Sequence, residues 1–364
     1  MTERRAFKAR VRARMAETGQ TYAQAAALLE AGNPARAVDT HPASALVVAL
    51  LRTEGIALAP ELAFGIGGGI GFMYAVFSYK EVGHPLLTIV CQHHPEPWAP
   101  AILERLRVPH VSVRTRPAVA ALIGEGRPMI LPLGRGHLPW LRESQDPREE
   151  HVVLALPGAS GCRVLDGSGA SHHMSANDLL AAYMGTRRTH PVISLEAGAR
   201  AASDADAALG AGLRACVAGM TGPVLGNAFD VNFGLSGLRK WARLSDAAGR
   251  DGWPTLFKDT DIWRHRLVDG IEREHTARTA GRPLFARVLR SGGAARAAHT
   301  FEQSAHHWAN ISHRAASGTI TFPELAREIT RIAELETEGI RLLSARLDGE
   351  EGGRTISPTA SRSG

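Results

Sequence analysis

Between Thr40 and Tyr74 the chain reads THPASALVVALLRTEGIALAPELAFGIGGGIGFMY, and this order constrains the fold more than any other stretch. Asp39 or Thr40 can cap a helix, Pro42 suits its first turn, and residues 43–51 are apolar helix formers up to the break at Gly55. Five glycines then fall within residues 65–71, where side chains would bar a close passage of backbone. The run follows a helix and a proline, and does not open a helix after a strand. It therefore reads as close packing and not as a dinucleotide cradle. A capped, buried helix followed by a tight glycine loop is the expectation.

Further segments carry a pattern. Gly126-Arg127-Pro128 precedes an apolar strand over 129–133, and His137-Leu138-Pro139-Trp140 follows it. His151 opens an apolar strand over 151–156, and Val164-Leu165-Asp166 ends another before a Gly-Ser-Gly turn. With the opening helix and glycine run, these segments resemble the family named after butirosin biosynthesis protein H, over residues 36–185 and more loosely to about 345. Members of that family read His-Cys-x-Ser/Thr, a buried helix, and a glycine run ending in Phe-x-Tyr. The resemblance implies an α+β fold, a papain-like cysteine-peptidase-type domain reused for acyl transfer, followed by a mainly α-helical domain. The family's named member is similar to an acyltransferase that moves an aminoacyl group from a carrier protein onto an aminoglycoside amine. Where the family has its cysteine this chain has His41, Pro42 or Ser44, according to how the gap is placed.

In a papain-like site a histidine on one strand is held in its tautomer by an Asp or Asn on the next, and His151 and Asp166 take those places by resemblance. The nucleophile of such a site sits at the amino end of the buried helix, where backbone N–H groups and the dipole favour an anion. Pro42 has no nucleophile. Ser44 has a hydroxyl in the first turn, and His41 can serve as a second base or orient a substrate. Without a cysteine, an amine can attack an activated acyl group directly, given a general base and an oxyanion site. Tyr74, Trp140 and Arg142 are candidate substrate contacts. The expected function is acyl or aminoacyl transfer to an amine in specialised-metabolite assembly, from an acyl carrier protein thioester to a small-molecule amine. Two alternatives stand beside it: a donor that is an aminoacyl-tRNA, and a catalytically silent member that binds a metabolite or partner protein.

The formal charge of +6 suits acidic partners, although the arginines are scattered and form no stripe. Three cysteines without a CxxC spacing fit a reduced interior. No segment reaches the ~20 apolar residues of a membrane span, and the amino terminus lacks a signal-peptide core, so a cytoplasmic protein is expected. The pairs His93-His94, His172-His173 and His306-His307 form no metal-ligand spacing, and neither a metal nor a cofactor is expected. The chain divides into a basic helical appendage (1–35), the papain-like domain (36–193), a helical domain (194–348) and a disordered tail (349–364). The sequence leaves a homodimer open.

Overall fold

The computed structural model describes residues 40–354, apart from 79–83, 94–96, 142–149, 168 and 187–189. The appendage 1–35, the last part of the tail and Arg142 lie outside the described residues. From His41 onward the chain is one compact unit.

Helix α1 (Pro42–Thr53) and the short helix α2 (Pro60–Ile66) lead into β1 (Ile70–Phe77), which pairs antiparallel with β2 (Leu86–Gln92). Helix α3 (Trp98–Arg105), β3 (His110–Val113), α4 (Arg116–Gly124) and β4 (Met129–Gly134) follow. Next come β5 (Glu150–Gly158), β6 (Gly161–Asp166), β7 (Ser171–Met174), α5 (Ala176–Met184) and β8 (Val192–Leu195). The larger sheet has the order β3-β8-β4-β5-β6-β7, all neighbours antiparallel. The remainder is helical: α6 (Ala205–Thr221), α7 (Gly234–Ser245), α8 (Trp253–Leu256), α9 (Ile262–Glu272), α10 (Arg282–Ser291), α11 (Ala295–Ala316) and α12 (Phe322–Arg354). The fold is α+β.

Alternation along the strands sorts the larger sheet into two faces. Ile130 and Leu154, directly opposite each other, join the core that contains Leu46, Leu50 and Leu51 of α1. Leu131, Leu133, Val153, Ala155 and Val164 join a second core with Leu179, Ala182 and Tyr183 of α5. The first core does not stop at residue 193: it includes Leu209 of α6, Trp241 of α7, Phe285 of α10 and Trp308 of α11. The change from sheet to helices comes after β8, which ends at Leu195, and lies within one compact unit.

The glycine run is a close-packed turn between α2 and β1. A Cβ at Gly67 would lie 2.6 Å from the Trp98 ring, one at Gly69 would lie 2.6 Å from the Phe285 ring, and one at Gly71 would lie 2.3 Å from the Gln92 carbonyl. Gly69 also has φ +63°, which L side chains rarely adopt. Beyond the turn, Phe72 and Tyr74 share a face of β1 and pack on Trp241, with Trp253 against Tyr74.

Helix α6 begins at Ala205, where the Asp204 carboxylate caps it. Helix α9 stops at Glu272, and the chain turns through left-handed backbone at His275, Thr279 and Ala280. That turn delivers Arg282 to the interior.

Arg282 and Glu336 are both fully buried. The guanidinium donates through Nε and Nη2 to the two carboxylate oxygens, each at 2.8 Å. It also donates to the carbonyls of Gly71 (3.2 Å), Cys91 (2.9 Å) and Ala280 (2.7 Å). Glu336 accepts in addition from Ser304 Oγ at 2.8 Å and Trp308 Nε1 at 2.9 Å. Burial opposes the charge on Arg282, but the adjoining carboxylate outweighs it and holds the pKa above its ordinary value. Glu336→Ala leaves a buried cation unpaired and is expected to cost about 3–5 kcal/mol in urea unfolding. Arg341→Ala, which breaks an exposed pair with Glu338 on the same helix, is expected to leave the midpoint unchanged.

Candidate functional site

The amino end of α1 carries a cluster of polar side chains. His41 is its N-cap, with Pro42 at the first helical position. The Ser44 N–H, one of the amides a helix start leaves without an internal partner, donates to His41 Nδ1 at 3.2 Å. An amide can only donate, so Nδ1 is an acceptor and the neutral ring carries its proton on Nε2. Nε2–H then donates to Gln92 Oε1 at 2.6 Å. The Ser44 hydroxyl, 2.9 Å from Nδ1, donates to the same nitrogen, and its oxygen accepts from Trp98 Nε1–H at 2.9 Å.

A serine, a histidine and an amide thus lie in one hydrogen-bonded line. The line is closed. Ser44 is 0% exposed and His41 is 1% exposed, with Trp98 and Phe64 rings at 4.3 and 5.1 Å from the imidazole. Burial pushes the His41 pKa down to about 4, against the opposing pull of the bond to Gln92, so the ring is neutral near pH 7. The serine oxygen spends a lone pair on Trp98, and no approach to it is open. Pro42 takes the place nearest the helix start and brings no nucleophile, while its ring packs where a Cβ at Gly167 would come within 2.4 Å. Gln92 and Trp98 were not identified from the sequence. The signal for them was indirect, since Gly67 and Gly71 are bare where Trp98 and Gln92 pass.

His151 and Asp166 do not join this line. His151 pairs with Leu133, and Asp166 pairs with Val153 two residues along the same strand, so the two are diagonal neighbours on one sheet face. That face carries the core of Leu133, Val153 and Val164, and the opposite face packs on α1. Gly167, next after Asp166, turns the other way, to Pro42. The expected single constellation is therefore two pairs separated by the sheet: His41 with Ser44 on one side, His151 with Asp166 on the other. A register shifted by one residue would have reversed this, and the spacing of 151 and 166 alone does not set the register. Asp166 accepts from the Ala170 N–H at 3.1 Å and lies 3.8 Å from His172 Nε2. Trp140 stacks on His172, its rings nearly parallel at 4.0 Å.

Tyr74 lines a different place, a cavity of about 640 Å³ between the end of β1, α7 and the segment after it. Its hydroxyl accepts from Trp253 Nε1 at 2.8 Å, and burial pushes its pKa up to about 12. Tyr74 and Trp140 thus belong to separate cores. The three cysteines are buried, and burial raises Cys91 and Cys216 to about 12, far from thiolate at neutral pH. Among the described residues no three His, Cys, Asp or Glu side chains converge, and no helix is long and apolar enough to cross a membrane.

The class defined by these features is an α+β protein whose buried helix begins at a closed, uncharged polar cap. Residues 41–158 match the family described as Butirosin biosynthesis protein H, N-terminal, and this segment is similar to that family. No curated protein matches the chain.

The cap makes a signed prediction. The folded-state pKa of His41, about 4, lies below the unfolded value of 6.5, so the unfolded chain binds more protons between them. The contribution to stability is complete above pH 6.5 and is lost as the pH falls towards 4, a change of about 3 kcal/mol. His41→Asn keeps an N-cap acceptor, and the rise in unfolding free energy between those pH values is expected to shrink by that amount. Unfolding by urea at a series of pH values measures it.

Proposed function

We propose that the chain serves specialised-metabolite biosynthesis as a catalytically silent, binding member of the butirosin biosynthesis protein H-like family. The observation that carries this reading is the sealed helix start: Pro42 at the first helical position, and Ser44 fully buried between His41 and Trp98. Covalent acyl transfer needs a nucleophile that a substrate can reach. The placement of His151 across the sheet adds to this, since a base there cannot activate Ser44.

Direct acyl or aminoacyl transfer to an amine, from a carrier-protein thioester or an aminoacyl-tRNA, is the second reading. The place of His151 and Asp166 as diagonal neighbours on one sheet face favours it, because a carboxylate near a histidine supports a general base. The two readings separate in one assay, with an aminoacyl N-acetylcysteamine thioester as donor and a soluble primary amine as acceptor. The binding reading expects no acyl adduct in the intact mass, and amide formation at the uncatalysed rate for wild type, Ser44→Ala and His151→Ala alike. Wild-type turnover that drops by about 10²–10⁴ in His151→Ala would instead establish direct transfer.

A further inference from the structure

The cavity beside Tyr74 lies outside residues 41–158 on most of its walls, and nothing in the reading of α1 uses it. Its apolar surface comes from β1 and from Leu244 and Leu256. Three cations stand around it: Lys240 and Arg243, one turn apart on α7, and Arg250 in the segment that follows. Lys240 donates to Asn232 Oδ1 at 2.7 Å, and among the described residues none of the three forms a salt bridge. Among the described residues Asp251 is the one acidic side chain in the lining. Tyr74 is 2% exposed, its oxygen is an acceptor for Trp253, and its own O–H proton has no acceptor among the described residues.

Three cations that form no salt bridge among the described residues stand over an apolar wall, with a buried hydroxyl donor at the edge, and match an anion attached to an apolar body. Arginine pairs and a lysine bind planar or tetrahedral oxyanions through charge-assisted hydrogen bonds. A cavity of about 640 Å³ falls within the usual range for small-molecule sites. Neither Arg243 nor Arg250 supports the fold, since both are exposed and bonded to nothing else described. Exposed cations left free at the rim of a cavity raise the local concentration of anions.

We propose that this cavity binds a small organic anion, a phosphate ester or carboxylate on an apolar body, held by Lys240, Arg243 and Arg250 with Tyr74 donating from within. The assignment deepens the binding reading above and rests on it for its purpose. The two fail separately, because that reading is tested by amide formation and this one by ligand affinity.

The probe is 8-anilinonaphthalene-1-sulfonate, an anion with an apolar body whose fluorescence rises on burial, with uncharged N-phenyl-1-naphthylamine as control. Wild type is expected to bind the sulfonate, and Arg243→Gln with Arg250→Gln to weaken it about tenfold or more without lowering Tm or affinity for the neutral probe. Tyr74→Phe is expected to weaken it less. Displacement of the probe by inorganic phosphate assigns a phosphate ester, and displacement by hexanoate assigns a carboxylate. Absence of sulfonate binding by the wild type, or equal affinity in the double variant, overturns the assignment.

Discussion

The buried ion pair of Arg282 and Glu336 is the contact on which the rest of the arrangement depends. Moving both charges out of water costs several kcal/mol each, and the pair persists only because their hydrogen bonds are well satisfied. Arg282 reaches the carbonyls of Gly71 and Cys91, so the helical part of the chain grips both strands of the β1-β2 pair at the glycine turn. Glu336 gathers Ser304 and Trp308 of α11 on the same carboxylate. The strand end held in this way is the one that carries Gln92, the partner of His41. A charge pair deep among the helices thereby helps fix the polar cap of α1.

That cap shows how a site can be closed without being dismantled. The helix still starts with a polar side chain over its free amides, and the hydrogen-bonded line Ser44–His41–Gln92 keeps the form of a relay. Its groups are neutral and used up on each other, Ser44 and His41 buried and Gln92 half-buried, with Trp98 over the serine oxygen. An open polar space belongs to other residues, those around Tyr74 and α7, where Arg243 and Arg250 stand exposed and form no salt bridge among the described residues.

Much of this was legible in the sequence, and the remainder was not for identifiable reasons. The α1 helix, the strands 129–134, 150–158 and 161–166, and the role of the glycine run follow from local patterns of capping, alternation and side-chain absence. Strands β7 and β8 span four residues each, too short to display an alternation. Arg282 and Glu336 lie 54 positions apart, and nothing local marks either as the partner of a buried charge. The face on which His151 and Asp166 sit depends on the register of β4, β5 and β6, which family spacing cannot supply. Tyr74, a candidate substrate contact from the sequence, lines a cavity, but the cations that share that cavity come from α7 and beyond, on chain distant from β1.

The state of His41 tests the account most directly. Nitrogen-15 NMR of histidine-labelled protein at about pH 5–6 reads both the tautomer and the charge of each ring. The closed cap predicts one neutral histidine with its proton on Nε2, protected from exchange, at a pH where an unperturbed imidazole is largely charged. A His41 ring that is protonated there, or that exchanges its proton freely with water, would mean an open helix start, and the silent reading of this site would be wrong.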